Sequence, residues 1–319
     1  MTESPLSKAY TWPYPRYARF EAELRQAAAA WFDAKGLPHH TRYKYCLPSR
    51  DQWHQNIIDP AVAQFIQDEI DRHVVARRAF PLSQWIHHGL SSQALLFNLV
   101  GPLVMTGDLA PLRDVLTSHN IPWPEGPVNA CFEYEDQAVF NEGAAQHTSI
   151  DLVLEGAPEA PRLFVECKFV EREFGGCSVF RNGDCDGRNP ATDLAKCYLH
   201  HIGRGYWTVL QEHGFLDGPG PIRTDSTCIL ANHYQFFREV GLALSLGGVF
   251  VLLSDERSPT FYCNGPAGSR GLMDFLLGIV PEPVRPQIAG ITIQQVVEAI
   301  KASGRHPWIA EFESKYGLA

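Results

Sequence analysis

The chain has 319 residues, 45% of them hydrophobic, and a formal net charge of −9. That length and apolar content can bury a substantial core, as one elaborated domain or two smaller ones, and exclude disorder as the default. The charge argues against a general polyanion binder. Met1–Tyr17 lacks the basic stretch and apolar run of a signal peptide, and the longest nearly apolar runs fall short of a membrane span, so a soluble, cytoplasmic protein with no membrane association is expected. Eight cysteines then read as free thiols or metal ligands rather than a disulfide framework.

In chain order, residues 1–84 form a mainly helical N-terminal region, with helices at Glu21–Phe32 and Pro60–Arg78 joined by a Pro/His/aromatic connector. Ser91-Ser92-Gln93 opens an apolar helix, Ala94–Val100, that Gly101-Pro102 should end. Strands follow at Val128–Tyr134, Ser149–Leu154 and Leu163–Phe169. Phe174–Pro190 is rich in Gly, Cys and Asp and reads as the start of an insertion covering 174–210, with a helix from about Thr192 to Val209. A helix at His233–Leu246 and a strand at Val249–Ser254 complete a core spanning 85–256. Residues 257–319 read as a helical appendix, with Thr292 as N-cap and Gly304 as stop. The expected class is α/β, a mixed sheet flanked by helices.

The charge is unevenly placed. Residues 79–160 carry ten acids against one Arg, whereas residues 1–78 carry eleven Lys/Arg against nine acids. Concentrated carboxylate suits metal binding, and the Arg- and aromatic-rich stretch Tyr14–Arg50 suits a phosphate backbone. Arg42, Lys44, Arg50, Arg77 and Arg78 are the expected DNA contacts, with a solvated face of scattered charge as the alternative.

Within the acidic block, Asp151 lies in the apolar strand Ser149–Leu154, and Glu166 and Lys168 lie in the next apolar strand. Strand alternation puts Glu166 and Lys168 on one face and Val165, Cys167 and Phe169 on the other. Charges in strands this apolar are costly to bury uncompensated, and two carboxylates against one ammonium leave a deficit that a divalent metal would fill. The alternative is a structural ion pair within the sheet.

The spacing Asp151-x14-Glu166-x-Lys168, in a helix, three-strand, helix, strand order, resembles the PD-(D/E)XK nuclease superfamily and its restriction-endonuclease-like fold; Ile150-Asp151 stands where the superfamily has Pro-Asp. A closer likeness, to a bacterial family of restriction endonucleases, is carried by Ser91-Ser92-Gln93-Ala94-Leu95-Leu96-Phe97-Asn98, Glu166-Cys167-Lys168-Phe169-Val170-Glu171, Phe174-Gly175-Gly176-Cys177 and Tyr234-Gln235-Phe236-Phe237-Arg238. The resemblance implies a Mg²⁺-dependent deoxyribonuclease in which Mn²⁺ can substitute, acting in bacterial defence or DNA processing, with DNA as partner and a homodimer as a further expectation. Asp151, Glu166 and the backbone carbonyl of Cys167 would hold the metal, and Lys168 would orient or deprotonate the attacking water or stabilise the transition-state anion. Related nucleases often place a Gln beside the metal on the helix before the last strand, which nominates Gln235, with Arg238 three residues on as a phosphate contact. The Glu that many members carry on the first helix is missing; Gln93 stands in its place or serves the helix start. Glu133, favoured over Glu135 and Glu142, is a candidate further carboxylate, and Glu171 a supporting one.

Cys177, Cys185, Cys197 and His200 offer a looser zinc set that would staple the insertion. Asn182-x-Asp184-x-Asp186-Gly187 with Asp193 mimics a calcium loop but departs from it at the first and last ligands, which favours a plain turn. No phosphate-cradling, dinucleotide, nucleophile-elbow or HExxH motif is present. The rival functions are a catalytically silent nuclease-fold module that binds nucleic acid or protein, and a zinc-stapled interaction domain.

Overall fold

Five strands pair in chain order into one mixed sheet: β1 (Asn129–Asp136), β2 (Thr148–Glu155), β3 (Arg162–Lys168), β4 (Gly248–Ser254) and β5 (Ile288–Thr292). The first three are antiparallel neighbours, whereas β3–β4 and β4–β5 are parallel. This computed structural model describes residues 14–143, 147–262 and 271–318. Residues 1–13, most of the stretch read for a leader, lie outside the described residues.

Each sheet face carries its own core. On one face, α1 (Tyr14–Ala34), α2 (Pro60–Val75), α3 (Ser92–Thr106), α4 (Ala110–Ser118), α8 (Ile293–Ser303) and α9 (Ile309–Tyr316) cover Leu152, Leu154, Val165 and Cys167. On the other, α5 (Tyr206–Glu212), α6 (Ile229–Ser245) and α7 (Leu272–Ile279) cover Val153, Phe164, Phe250 and Leu252. The β-branched and aromatic residues of β3 and β4 are buried on both sides, as parallel strands with crossover helices require.

The helix opened by Ser91 forms as expected, its hydroxyl accepting from Ala94 N at 3.2 Å, but it runs through Gly101-Pro102 to Gly107, whose φ of +67° ends it. Burial from Gln93 to Leu103 outweighs the lost proline hydrogen bond. Gly101 is needed there, because a Cβ would lie 2.6 Å from the Val62 side chain.

Two further readings need correction. The expected helix Thr192–Val209 is a 3₁₀ turn (Leu194–Lys196), a single turn (Tyr198–His201) and α5, separated at Gly203 with φ +84°. Residues 257–319 are no appendix: they supply strand β5, and Val296, Ile300, Phe312 and Tyr316 join the same core as α1–α4. β5 escaped notice because it is five residues long with Gly290 at its centre. Thr292 does cap α8, through a reciprocal capping box with Gln295, and Gly304 stops it. Among the described residues no single helix is long and apolar enough to cross a membrane; α3 and α4 pass that test only jointly, across a 116° bend.

The C-terminal helix carries one expensive group. Lys315 is fully buried, donating to Asn56 O and lying 4.2 Å from the Trp31 ring centroid, and burial pulls its pKa well below the ordinary lysine value. The unfolded chain therefore holds that proton more tightly, so Lys315 makes stability rise as pH climbs from its folded pKa toward about 10.4. Asn56 O keeps a second donor, Asn98 Nδ2 at 3.1 Å. Lys315→Met should raise stability at pH 7 by about 1 kcal/mol and flatten the alkaline rise in denaturant melts. A loss of similar size would mean that the cation–π contact outweighs desolvation.

Candidate active site

The β2–β3 ladder pairs Leu154 with Leu163, Val153 with Phe164 and Leu152 with Val165. One step further stand Asp151 and Glu166, opposite each other in the same register and so on one face, with Lys168 two residues on. Asp151 Oδ2 accepts from Cys167 N at 2.8 Å, which ties this carboxylate to the backbone between Glu166 and Lys168. Glu166 and Lys168 are buried, and Lys168 Nζ donates to Glu166 Oε1 at 2.7 Å.

Helix α6 closes this pair from above. Gln235 Nε2 donates to Glu166 Oε1 at 2.8 Å while its Oε1 accepts from Lys168 Nζ at 3.2 Å, so one amide holds both charges in register. The helix is kinked at His233 (φ −128°, ψ 31°), where the Phe174–Cys177 string docks: Gln235 N donates to Gly175 O, and Cys177 N donates to Leu230 O and Ala231 O. Gly176 permits this approach, since a Cβ there would lie 2.3 Å from Ala231 O. One turn beyond Gln235, Glu239 Oε1 accepts from its amide at 2.7 Å. The sequence did not single out Glu239, which shares a helix face with Gln235 but lies among Asn232, His233 and Arg238 on a helix of mixed character.

Glu133 lies across from Asp151 on β1. The ladder pairs Phe132 with Leu152 and Tyr134 with Ile150 but skips the Glu133–Asp151 pair, and Glu133 has φ +54°, a left-handed conformation that non-glycine residues rarely adopt in strands. Such strain collects at functional sites. Glu133 Oε1 is buried without a partner, and Gln93 reaches the residue from the start of α3 while also bonding Ser83 N and Pro81 O. Glu171 turns back at the end of β3, its Oε2 accepting from Phe169 N.

Asp151, Glu166, Glu171 and Glu239 thus surround one ammonium, and Glu133 stands beside Asp151. Burial, and then the charges of Asp151 and Glu166, push Glu133 well above the ordinary carboxylate range. Asp151 and Glu239 are raised by burial and then by Glu166. Burial pulls Lys168 down, but Glu166 and the neighbouring acids overcome it and hold the ammonium protonated above its ordinary value. Among the described residues no three His, Cys, Asp or Glu side chains form a ready-made metal cage. Two carboxylates, a backbone carbonyl and water are nonetheless the hard-oxygen set that suits Mg²⁺, and Glu133 Oε1 and Glu239 Oε2 are further buried oxygens left without a hydrogen-bond partner.

Other sequence candidates do not join this centre. Arg238 keeps 11% of its side chain exposed, with its Nη1 3.8 Å from Glu142 Oε1 and its guanidinium 5.1 Å from the Tyr234 ring centroid, so it is turned inward rather than out toward a phosphate. Glu142 itself is occupied by Thr148 and Tyr206. Cys177, Cys185 and Cys197 line a cavity with Cys228, not with His200, so the expected zinc set is not assembled. Asp186 pairs with Arg188 in a turn, in place of the calcium-like loop. Arg42, Lys44, Arg50, Arg77 and Arg78 are all exposed, and the Arg50 guanidinium donates to Leu82 O.

The family described as Restriction Endonuclease associating with ARP matches residues 25–317. The chain belongs to that family. Membership gives it a nuclease-related role and makes DNA the expected class of substrate or partner. The match takes in all of α8 and α9, as the shared core requires. No curated protein and no solved structure matches the chain.

Because the folded state holds the Glu239 proton more tightly than the unfolded chain, its contribution to stability is present near pH 4 and is lost as pH rises through the folded pKa. In EDTA, Glu239→Gln, which keeps the acceptor for Gln235, should therefore melt higher than wild type at pH 8, with the gap closing by pH 4.5. An equal or lower midpoint at pH 8 would show that the charge is compensated within the fold.

Proposed function

We propose that the protein is a Mg²⁺-dependent deoxyribonuclease with a restriction-endonuclease-like fold, in which Mn²⁺ can replace Mg²⁺. The convergence of Asp151, Glu166, Lys168 and Gln235 at adjoining strand ends, under a helix that carries the Gln, supports it. Asp151, Glu166 and the Cys167 carbonyl would hold the cation, which supplies charge neutralisation at the phosphate and a more acidic bound water.

The chain's own groups then have separable tasks. Asp151 and Glu166 would set the position of the cation at the end of β3. Lys168, kept protonated by its acidic neighbours, donates to the attacking water or to a non-bridging oxygen and offsets the charge that grows in the transition state. Gln235 keeps the Lys168 and Glu166 rotamers fixed, and Glu239 fixes Gln235. Glu133 is placed to add a further carboxylate beside Asp151, or to bind a second cation. All three charged residues of the motif are intact, which favours catalysis over a silent binding module, since a site released from catalysis need not keep them.

Purified protein should cleave DNA with Mg²⁺ or Mn²⁺ when linear, circular, single-stranded and modified substrates are compared. Asp151→Asn and Glu166→Gln should weaken metal binding and abolish cleavage. Lys168→Ala should keep metal binding but lose about 10²-fold or more in rate, the usual cost of removing a positioned proton or charge donor. Wild-type rates in Asp151→Asn would refute the assignment.

A further inference from the structure

Beside the catalytic residues lies a second feature that the chemistry of hydrolysis leaves unused. The connector after α1 and the segment before α3 run side by side, joined by a Cys46–His88 bridge and by hydrogen bonds from Leu47 N to His87 O and from Gly89 N to Tyr45 O. Their rings form a continuous series. His40 stacks on Tyr43 at 5.2 Å, Tyr43 meets Tyr45 at 6.0 Å, Tyr45 meets His88 edge-on at 6.4 Å, and His88 meets Trp85 at 4.9 Å. Two guanidiniums lie against the series, Arg25 5.0 Å from the Tyr45 centroid and Arg42 5.3 Å from that of Tyr43. Tyr43 and Trp85 leave 41% and 55% of their surface in solvent, a large exposure for such rings.

Arg25, Tyr45, Trp85, His88, Ser92 and Glu171 border a cleft of about 400 Å³ between these segments. Its far wall is the segment just past β3, Val170 and Glu171: Glu171 is three residues beyond Lys168, and its charge is felt at both Lys168 and Asp151. The volume falls in the usual small-ligand range of about 300–1,000 Å³, room for one nucleotide but not for a duplex.

We propose that this cleft receives one unpaired base of the DNA strand, stacked on Trp85 and Tyr45, next to the centre formed by Asp151, Glu166 and Lys168. Aromatic faces with adjacent guanidiniums accept any base through its π-face, whereas Ser92 and Glu171 offer hydrogen-bonding groups to its edge. The substrate class is then DNA with an accessible single-stranded or extruded nucleotide at the cleavage point, and duplex cleavage carries the cost of unstacking. This proposal rests on the nuclease reading.

Binding in Ca²⁺ to a single strand, an intact duplex, a duplex with one unpaired base and the same duplex with an abasic residue there tests it with the full-length protein. Wild type should prefer the single strand and the unpaired base over the intact duplex, and the abasic residue should cost about 10-fold, the scale of one base–aromatic stack. Trp85→Ala should lose the same factor on the unpaired base and become indifferent to the abasic change, with duplex binding unaltered. Because the abasic comparison uses wild-type protein, it stands whether or not the variant folds. Cleavage in Mg²⁺ with equal affinity for abasic and intact unpaired bases would overturn this inference while leaving the nuclease reading in place. No cleavage and no binding of any DNA would overturn both. Binding of free deoxynucleoside monophosphates as tight as that of the strand would make the cleft a free-nucleotide site and contradict the proposal.

Discussion

Carboxylates crowd a single ammonium where β2 and β3 end. The constraint is electrostatic: Asp151, Glu166 and Glu239 converge on Lys168 in a largely dry setting, with Glu133 against Asp151 and Glu171 at the strand end. A sheet with such a centre is stable only if the acids are protonated, paired or bridged by a cation. Much of the surrounding architecture serves to hold them there. Gly176 lets a loop reach the kink of α6, Gln235 follows that kink, and Gln235 joins Glu166 to Lys168. The bulge-like break at Glu133 turns another acid toward Asp151 against local backbone preference.

The parts of this centre that follow from strand alternation were legible in the sequence. Glu166 and Lys168 had to share a face, and Asp151 lay in the neighbouring apolar run, whereas the register that sets Asp151 across from Glu166 is fixed by the ladder. Gln235 became a candidate through family likeness, and its geometry supports that choice. Arg238 did not follow, because three residues on a helix share only part of a face and Glu142 with Tyr234 captures the guanidinium. Glu239 was hidden because nothing local separates an interior acid from a solvated one. Glu133 was a weak candidate because a left-handed residue in a strand has no sequence signature outside Gly and Asn.

The fold's outer regions were the harder part. Residues 1–84 and 257–319 looked separable from the sheet, yet Phe20, Leu24, Ile66, Ile300 and Phe312 pack in the same core as Leu152 and Val165. Long-range burial of this kind leaves only an amphipathic pattern in each helix, without indicating its partner. Packing the N-terminal region onto the core also brings the ring series of the connector alongside Val170 and Glu171 just past β3.

Anomalous diffraction from crystals soaked in Mn²⁺ addresses the central claim most directly. The account predicts a peak bounded by the carboxylates of Asp151 and Glu166 and the Cys167 carbonyl, with metal–oxygen distances of roughly 2.0–2.3 Å typical of hard divalent ions, and its loss in Asp151→Asn. A protein that takes up no Mn²⁺ at that position, or binds it only elsewhere with Asp151 still bonded to Cys167 N and Glu166 still paired with Lys168, would contradict it.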